Sequence, residues 1–399
     1  MLIRITAAAL LFFAAPAFAI DEEHFVKASA MITKASNWLR SQQDSATGGW
    51  SVNPQPDSPQ LPAITGLVLN GLLMSPGVDA TDPAVRRGVE FILKYRQPDG
   101  GIYDRILPSY NTAICLSALA RVRAPDAAAA IVPGRDFLTS LQWSEDSLND
   151  RNRETGKVER IHPFYGGVGY GNSSRPDNSN LAMFLQALRD TGLNKEDPAF
   201  ARAVVFLERT QMLDSVNDMP YADGSTQGGF IYATTPDGKP ENLSGGGVGE
   251  SKAGTIEETL SDGTKASRLR SYGSMTYAGF KGYVYADLKR DDPRVKAAYD
   301  WLRRNYTLKE NPGIGTDGQY YYYVTFARAL RAWGTTTITT LSADGKPAET
   351  RDWANDLIAH LETMQNQDGS FKSVDDRWME NNPVLITAYA LIALQEAAE

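Results

Sequence analysis

The chain states one pattern six times: an amphipathic helix, a Gln, a Gly-rich turn ending in an aromatic, then an apolar helix. Trp38 to Gln43 leads to Gly48-Gly49-Trp50, and Phe91 to Gln97 leads to Gly100-Gly101-Ile102-Tyr103. Phe137 to Gln142 leads, after an insertion, to Tyr165-Gly166-Gly167, and Phe206 to Gln211 leads to Gly228-Gly229-Phe230. Trp301 to Tyr306 leads to Gly313-Ile314-Gly315, and His360 to Gln365 leads to Asp368-Gly369-Ser370-Phe371. A unit of this size cannot bury its apolar face alone, so it must stack on its neighbours.

The two helices of each unit differ in kind. Pro83 to Lys94 carries apolar residues at three- and four-residue spacing with charges opposite, so one face meets solvent. Asp82-Pro83, Asp197-Pro198 and Asp292-Pro293 supply a cap followed by a proline in the first turn. The second helices, such as Ala63 to Met74 and Pro383 to Leu394, are apolar nearly all round and rich in Ala and Gly. They belong on an inner layer. An open stack would need a polar last unit, but Leu391 to Leu394 is as apolar as the rest. The pattern therefore predicts an all-α fold, an α6/α6 toroid of six helical hairpins, with a small β-hairpin insertion at 334–350.

Connections between units are short, whereas those within units are long: Ser144–Arg175, Met212–Arg270, Thr307–Asp317 and Gln365–Glu380. In a toroid the within-unit loops share one rim, together with the N-termini of the inner helices, and long loops on one face point to function. The segment 234–270, with Gly245-Gly246-Gly247, reads as a flexible insertion over that rim. The N-terminus reads as a secretory signal peptide over 1–19: Arg4, an apolar run from Ile5 to Ala15, and Ala17-Phe18-Ala19 before the cut. That leaves a single domain over 20–399 and a secreted or periplasmic protein. The apolar run is too short to span a bilayer about 30 Å thick, and no later run approaches that length, so no transmembrane segment is expected after cleavage. A net charge of −8 without a Lys/Arg-rich run argues against nucleic acid as a partner. The one cysteine, Cys115, lies in an apolar helix and reads as core.

The Gln-x-x-Asp-Gly-Gly-aromatic pattern resembles the repeats of squalene–hopene cyclases and of protein prenyltransferase β subunits. The resemblance runs from Lys34 to Ala397, and the chain looks like a secreted bacterial member of the prenyltransferase and squalene-oxidase repeat group. It implies the toroid and an isoprenoid-type ligand. The cyclases' Asp-x-Asp-Asp acid motif is absent; the nearest match is Ser373-Val374-Asp375-Asp376. The prenyltransferases' zinc set is absent too: Ala113 and Ile114 precede Cys115, and the only histidines are His24, His162 and His360. The Cys–Gln thioester motif of complement-like toroids is also missing. No metal and no cofactor is expected.

Two inner helices are unusually aromatic. One carries Tyr272, Tyr277 and Phe280, the other Tyr320, Tyr321, Tyr322 and Tyr323, and the last inner helix adds Tyr389. Successive residues on a helix point about 100° apart, so the four consecutive tyrosines cannot all face one way. Together these residues are the candidate cavity lining, and Asp177, Glu380, Asp375 and Asp376 are the candidate acids and bases. The reading is an apolar, isoprenoid-like ligand in a central aromatic cavity, with terpenoid cyclase-like activity in view. The alternatives are a carbohydrate-active hydrolase or lyase with an oligosaccharide as partner, and a non-catalytic protein-binding scaffold.

Overall fold

In the computed structural model, the structure describes residues 20–55, 57–145, 158–171, 175–236, 247–260 and 263–399. The expected signal segment, 1–19, lies outside them, as do the first two glycines of Gly245-Gly246-Gly247. The outer helices are α1 (Glu22–Ser41), α3 (Pro83–Leu93), α5 (Pro125–Ser140), α7 (Pro198–Thr210), α9 (Pro293–Arg304) and α11 (Trp353–Glu362). The inner helices are α2 (Pro62–Leu73), α4 (Pro108–Leu119), α6 (Asn178–Asp190), α8 (Gly273–Tyr285), α10 (Gln319–Trp333) and α12 (Pro383–Ala398). Each inner helix packs on the next, and α12 packs on α2, so the inner layer is a ring. This is the α6/α6 toroid expected from the repeats. Asp82, Asp197 and Asp292 cap α3, α7 and α9 as their spacing predicts, and Cys115 is fully buried.

The repeated Gln explains the repeat. Gln43 Nε2 donates to the carbonyl of Gly48 in its own turn (2.8 Å) and to that of Ala84 on the next outer helix (2.9 Å). Gln142 bridges Gly166 and Ala199 in the same way, and Gln211 bridges Gly228 and Arg294. Gln365 bridges Gly369 and Met31, which ties the sixth unit to the first. The ring is thus closed by the same bond that joins its neighbours. In every unit but the fifth, the first glycine of the turn is required by the same approach. Gly166 has φ +81°, and a Cβ there would stand 1.8 Å from the Arg202 carbonyl oxygen. At Gly369 it would stand 2.3 Å from the carbonyl oxygen of Lys34.

The insertions fold as antiparallel hairpins. Strands β1 (Ala233–Pro236) and β2 (Gly247–Glu250) pair, as do β3 (Thr255–Thr259) and β4 (Lys265–Leu269). The segment read as a flexible insertion thus carries two hairpins in its described part. The second is held down by Glu258, which accepts from Ser225 Oγ (2.7 Å), Thr226 N (3.1 Å) and Gln227 Nε2 (2.6 Å). Strands β5 (Thr337–Leu341) and β6 (Pro347–Asp352) form the hairpin expected between the fifth and sixth units.

At the C-terminal ends of the inner helices a polar cluster fills the ring axis. Lys281 Nζ (2.7 Å) and Tyr285 Oη (3.1 Å) both donate to Gln186 Oε1, and Arg328 Nε donates to Glu396 Oε1 (3.3 Å). Burial pushes the Lys281 amine down to about 7, with Arg328 adding to the effect. This leaves the opposite end of the axis as the place for a recess.

Candidate ligand-binding site

At the N-terminal end of the inner ring, tyrosines from several units meet. Tyr110 stands in the first turn of α4, Tyr321 in that of α10 and Tyr389 on α12; Tyr170 and Tyr232 come from rim loops and Tyr272 from the residue before α8. The Tyr110 and Tyr389 side chains act on one another, as do those of Tyr170 and Tyr232. The ring centroids of Tyr110 and Tyr170 are 6.0 Å apart, and those of Tyr321 and Tyr389 are 6.2 Å apart. Tyr110, Tyr170, Tyr232 and Tyr321 are half-buried, yet burial pushes each of their hydroxyls above the ordinary phenol range. We read these partly exposed, crowded rings as the floor of a recess at this end of the ring.

Asp177 lies under that floor. It is the N-cap of α6, almost fully buried, and its Oδ1 accepts from Ser179 N (2.9 Å), Asn180 N (2.9 Å) and Ser179 Oγ (2.6 Å). Its Oδ2 accepts from Asn180 Nδ2 (2.8 Å). Burial raises its pKa against those four donors. Its charge reaches Tyr110, Tyr170, Tyr232, Tyr272 and Tyr321, adding to burial at each. The five tyrosines thus all lie within reach of one carboxyl's field. Two polar atoms here, Tyr321 Oη and Asn180 Oδ1, are buried and have no hydrogen-bond partner among the described residues.

One wall is charged. Arg175 and Lys252 both pair with Glu250. The Arg175 guanidinium lies 5.5 Å from the Tyr232 ring centroid, and Lys252 Nζ lies 4.9 Å from it. Against burial, Lys252 and Arg175 hold the Glu250 carboxyl below its usual range.

Glu380 serves a different helix from its own. The residue before α10, Gly318, has φ +61° and no capping side chain. Glu380 reaches across from the next unit, and its oxygens accept from Tyr320 N (3.1 Å) and Tyr321 N (2.9 Å). Asn111 does the same for α2 through Ala63 N, and Asn311 for α8 through Ser274 N. Burial pushes Glu380 up to about 7 against its backbone donors. Asp375 and Asp376 lie on the loop before Glu380, where Asp375 accepts from Arg377 N (2.7 Å) and its charge adds to the rise at Glu380.

Of the candidate aromatic lining, the structure gathers Tyr272, Tyr321 and Tyr389 at the recess. The others pack between the layers. Tyr320 Oη donates to Lys372 O (2.5 Å), Tyr322 Oη to Thr307 O (2.6 Å) and Tyr323 Oη to Leu308 O (3.0 Å). Tyr277 packs on Tyr322 and Phe326, and Phe280 stacks on Tyr299 of α9. One of the four consecutive tyrosines therefore serves the recess and three anchor α10 to the within-unit loops beside it. Tyr110, Tyr170 and Tyr232 were not picked out by sequence reasoning. Their signal was position: Tyr110 directly precedes the Asn111-Thr112 pair at the start of α4, and Tyr170 and Tyr232 follow within a few residues of a Gly-Gly turn.

His162 is a packing residue. Its ring stacks on Trp143 at 5.7 Å, and burial, with Arg209 beside it, pushes its pKa down to about 4. Among the described residues no His, Cys, Asp and Glu group of metal-binding size occurs, and no helix is long and apolar enough to cross a membrane.

The loops around the recess are strained. Ser51, Arg105, Leu107, Trp378 and Met379 have positive φ and all lie on within-unit loops. Such conformations cost of order 1–3 kcal/mol each and persist where the surroundings impose them. Trp378 stands over Gly318 at the start of α10 and is 47% exposed, with the Arg377 guanidinium 4.7 Å from its ring.

No protein-family model matches the sequence, and a search of curated proteins finds no match. Among solved structures, the chain is similar to an unsaturated glucuronyl hydrolase specific for heparin, at 13% identity and TM-score 0.55, over 94% of this chain and 97% of that one. It is also similar to the type II terpene cyclase MstE from Scytonema, at 16% identity and TM-score 0.50, over 94% and 98%. An MstE variant in complex with geranylgeranyl dihydroxybenzoate matches at 15% identity and TM-score 0.50, over 94% and 99%. At such identities the likeness is one of fold, and this fold carries both chemistries.

Proposed function

We propose that the tyrosine recess binds an oligosaccharide. The observation that carries this is the set of tyrosines around Asp177, with Tyr321 Oη and Asn180 Oδ1 left without partners. Aromatic faces stack on sugar rings, and hydroxyl-rich walls match sugar hydroxyls. An isoprenoid, the ligand expected from the resemblance, offers these two already buried atoms no hydrogen bond, whereas a sugar hydroxyl reaching them would gain about 1 kcal/mol per bond. That difference puts the isoprenoid second. The reading is one of recognition, because the two buried carboxyls that could serve as acid and base, Asp177 and Glu380, both have oxygens bound to helix N–H groups. The N-terminal segment would export the protein to where such polymers are met.

Titration calorimetry tests this with a neutral oligosaccharide, an acidic one and a soluble isoprenoid. Binding of a saccharide is expected, weakened about fivefold by Tyr321→Phe, which removes one hydroxyl worth about 1 kcal/mol. Heat from the isoprenoid alone would refute the proposal. Silence from all three would favour a protein-binding scaffold.

A further inference from the structure

Beside the recess, beyond the Ser271–Tyr272 step, the rim holds a separate open groove of about 400 Å³. One side is the end of α9, with the Trp301 indole, Arg304 and Asn305; the other is Gln227 together with Arg270 and Ser271 at the foot of the second hairpin. Arg270 and Arg304 are exposed, and neither forms an ion pair with an acid among the described residues, although the chain as a whole is acidic. Arg304 Nη2 makes one neutral contact, to Gln227 O at 3.2 Å. The nearby acid, Glu258, is already bound by Ser225, Thr226 and Gln227 and stays below them. Ser271 is 2% exposed, and its Oγ has no partner among the described residues.

These features fit one kind of guest. Two unpaired guanidiniums call for an anion that can take a planar fork of donors, a carboxylate or a sulfate. The edge of the largely buried Trp301 indole adds an apolar contact, and the partnerless Ser271 hydroxyl calls for a hydroxyl. We infer that the groove is a subsite for an acidic sugar residue, a uronate or a sulfated sugar, at one end of a chain whose remainder lies in the tyrosine recess. The inference rests on the oligosaccharide reading for that remainder and names its class.

The test is titration calorimetry on the purified protein with a uronate-containing oligosaccharide, a sulfated one and a neutral one of equal length. The Arg270→Gln/Arg304→Gln double variant and Tyr321→Phe are run alongside. Both arginines are exposed, so the double variant is expected to keep the wild-type melting temperature. An acidic chain should bind at least about tenfold more tightly than the neutral one at low salt. The double variant should remove that advantage and leave neutral binding unchanged. Whichever acidic chain gains more identifies the anion. Equal binding of acidic and neutral chains would overturn the subsite and leave the recess proposal standing. Acidic binding that needs the arginines but ignores Tyr321 would support the subsite and overturn the recess. Binding of neither would overturn both, and acidic binding matched by inorganic sulfate alone would reduce the groove to an unspecific anion contact.

Discussion

Glu380→Gln should expose a pH-dependent cost hidden in the wild-type fold. Glu380 is about 1% exposed and capped onto α10, and its carboxyl moves from an ordinary 4.5 to about 7. Below pH 4.5 it is protonated in both folded and unfolded chains, so folding costs nothing there. Between 4.5 and about 7 the folded chain keeps a proton that the unfolded chain loses, and stability falls as pH rises. Above about 7 the folded chain carries the full cost, about 3 kcal/mol at 1.36 kcal/mol per pKa unit. His162 works in the opposite direction: its pKa falls from 6.5 to about 4, so it adds nothing at neutral pH and opposes folding increasingly as pH drops through that window. The two slopes oppose one another in the wild type, which should look flatter than either alone. Urea unfolding of wild type and Glu380→Gln at several pH values from about 4 to about 8 separates them. The stability of the wild type relative to the variant should fall by about 3 kcal/mol across the range, about 1 M in urea midpoint for an m of about 3 kcal/mol/M. A difference that does not change with pH would mean that the backbone donors outweigh burial and the carboxylate stays ionised, refuting the argument.

Gln365→Leu removes the donor that ties Gly369 to Met31 and should cost about 2 kcal/mol in urea unfolding; a loss under about 0.5 kcal/mol would show that the repeat glutamine is dispensable at ring closure. Lys281→Met should leave neutral-pH stability unchanged or raise it, because burial already opposes the charged amine and a similar apolar chain avoids that penalty. A thermal melt showing a loss of about 2 kcal/mol or more would instead make the Lys281–Gln186 bond a net support. Tyr321→Phe and the paired arginine variant complete the set through the binding experiments above.

The toroid was legible because each of its determinants is local. Asp-Pro starts, the Gln, the paired glycines and the all-apolar second helices recur at fixed places, and in most units the Gln and the first glycine meet the next outer helix. The recess was legible only in part. Asp177, Tyr272, Tyr321 and Tyr389 stand out in the sequence, but which tyrosines share a floor depends on the rotation of α10 about its own axis. Three of its four consecutive tyrosines turn to carbonyls of the within-unit loops and one turns inward. Glu380 shows the other limit. Its role as a cap for α10 crosses from one unit to the next, so nothing near it in the chain announces the helix that it serves.

The sixth unit's glutamine reaching Met31 has a further consequence. Ile20, the first described residue, and the last residues, Ala397 to Glu399, line one small cleft, so the start of the described chain lies beside its end. In a row of stacked repeats the end members can fray while the middle stays folded. A ring has no end members, and its last unit can dock only after the first is in place. Contacts between them bridge more than 300 residues of chain, a separation that slows folding and makes the finished structure stand or fall as one. For the same reason the order of the units along the chain is a matter of where the ring was cut, and a chain reopened at another short turn would carry the same six joints.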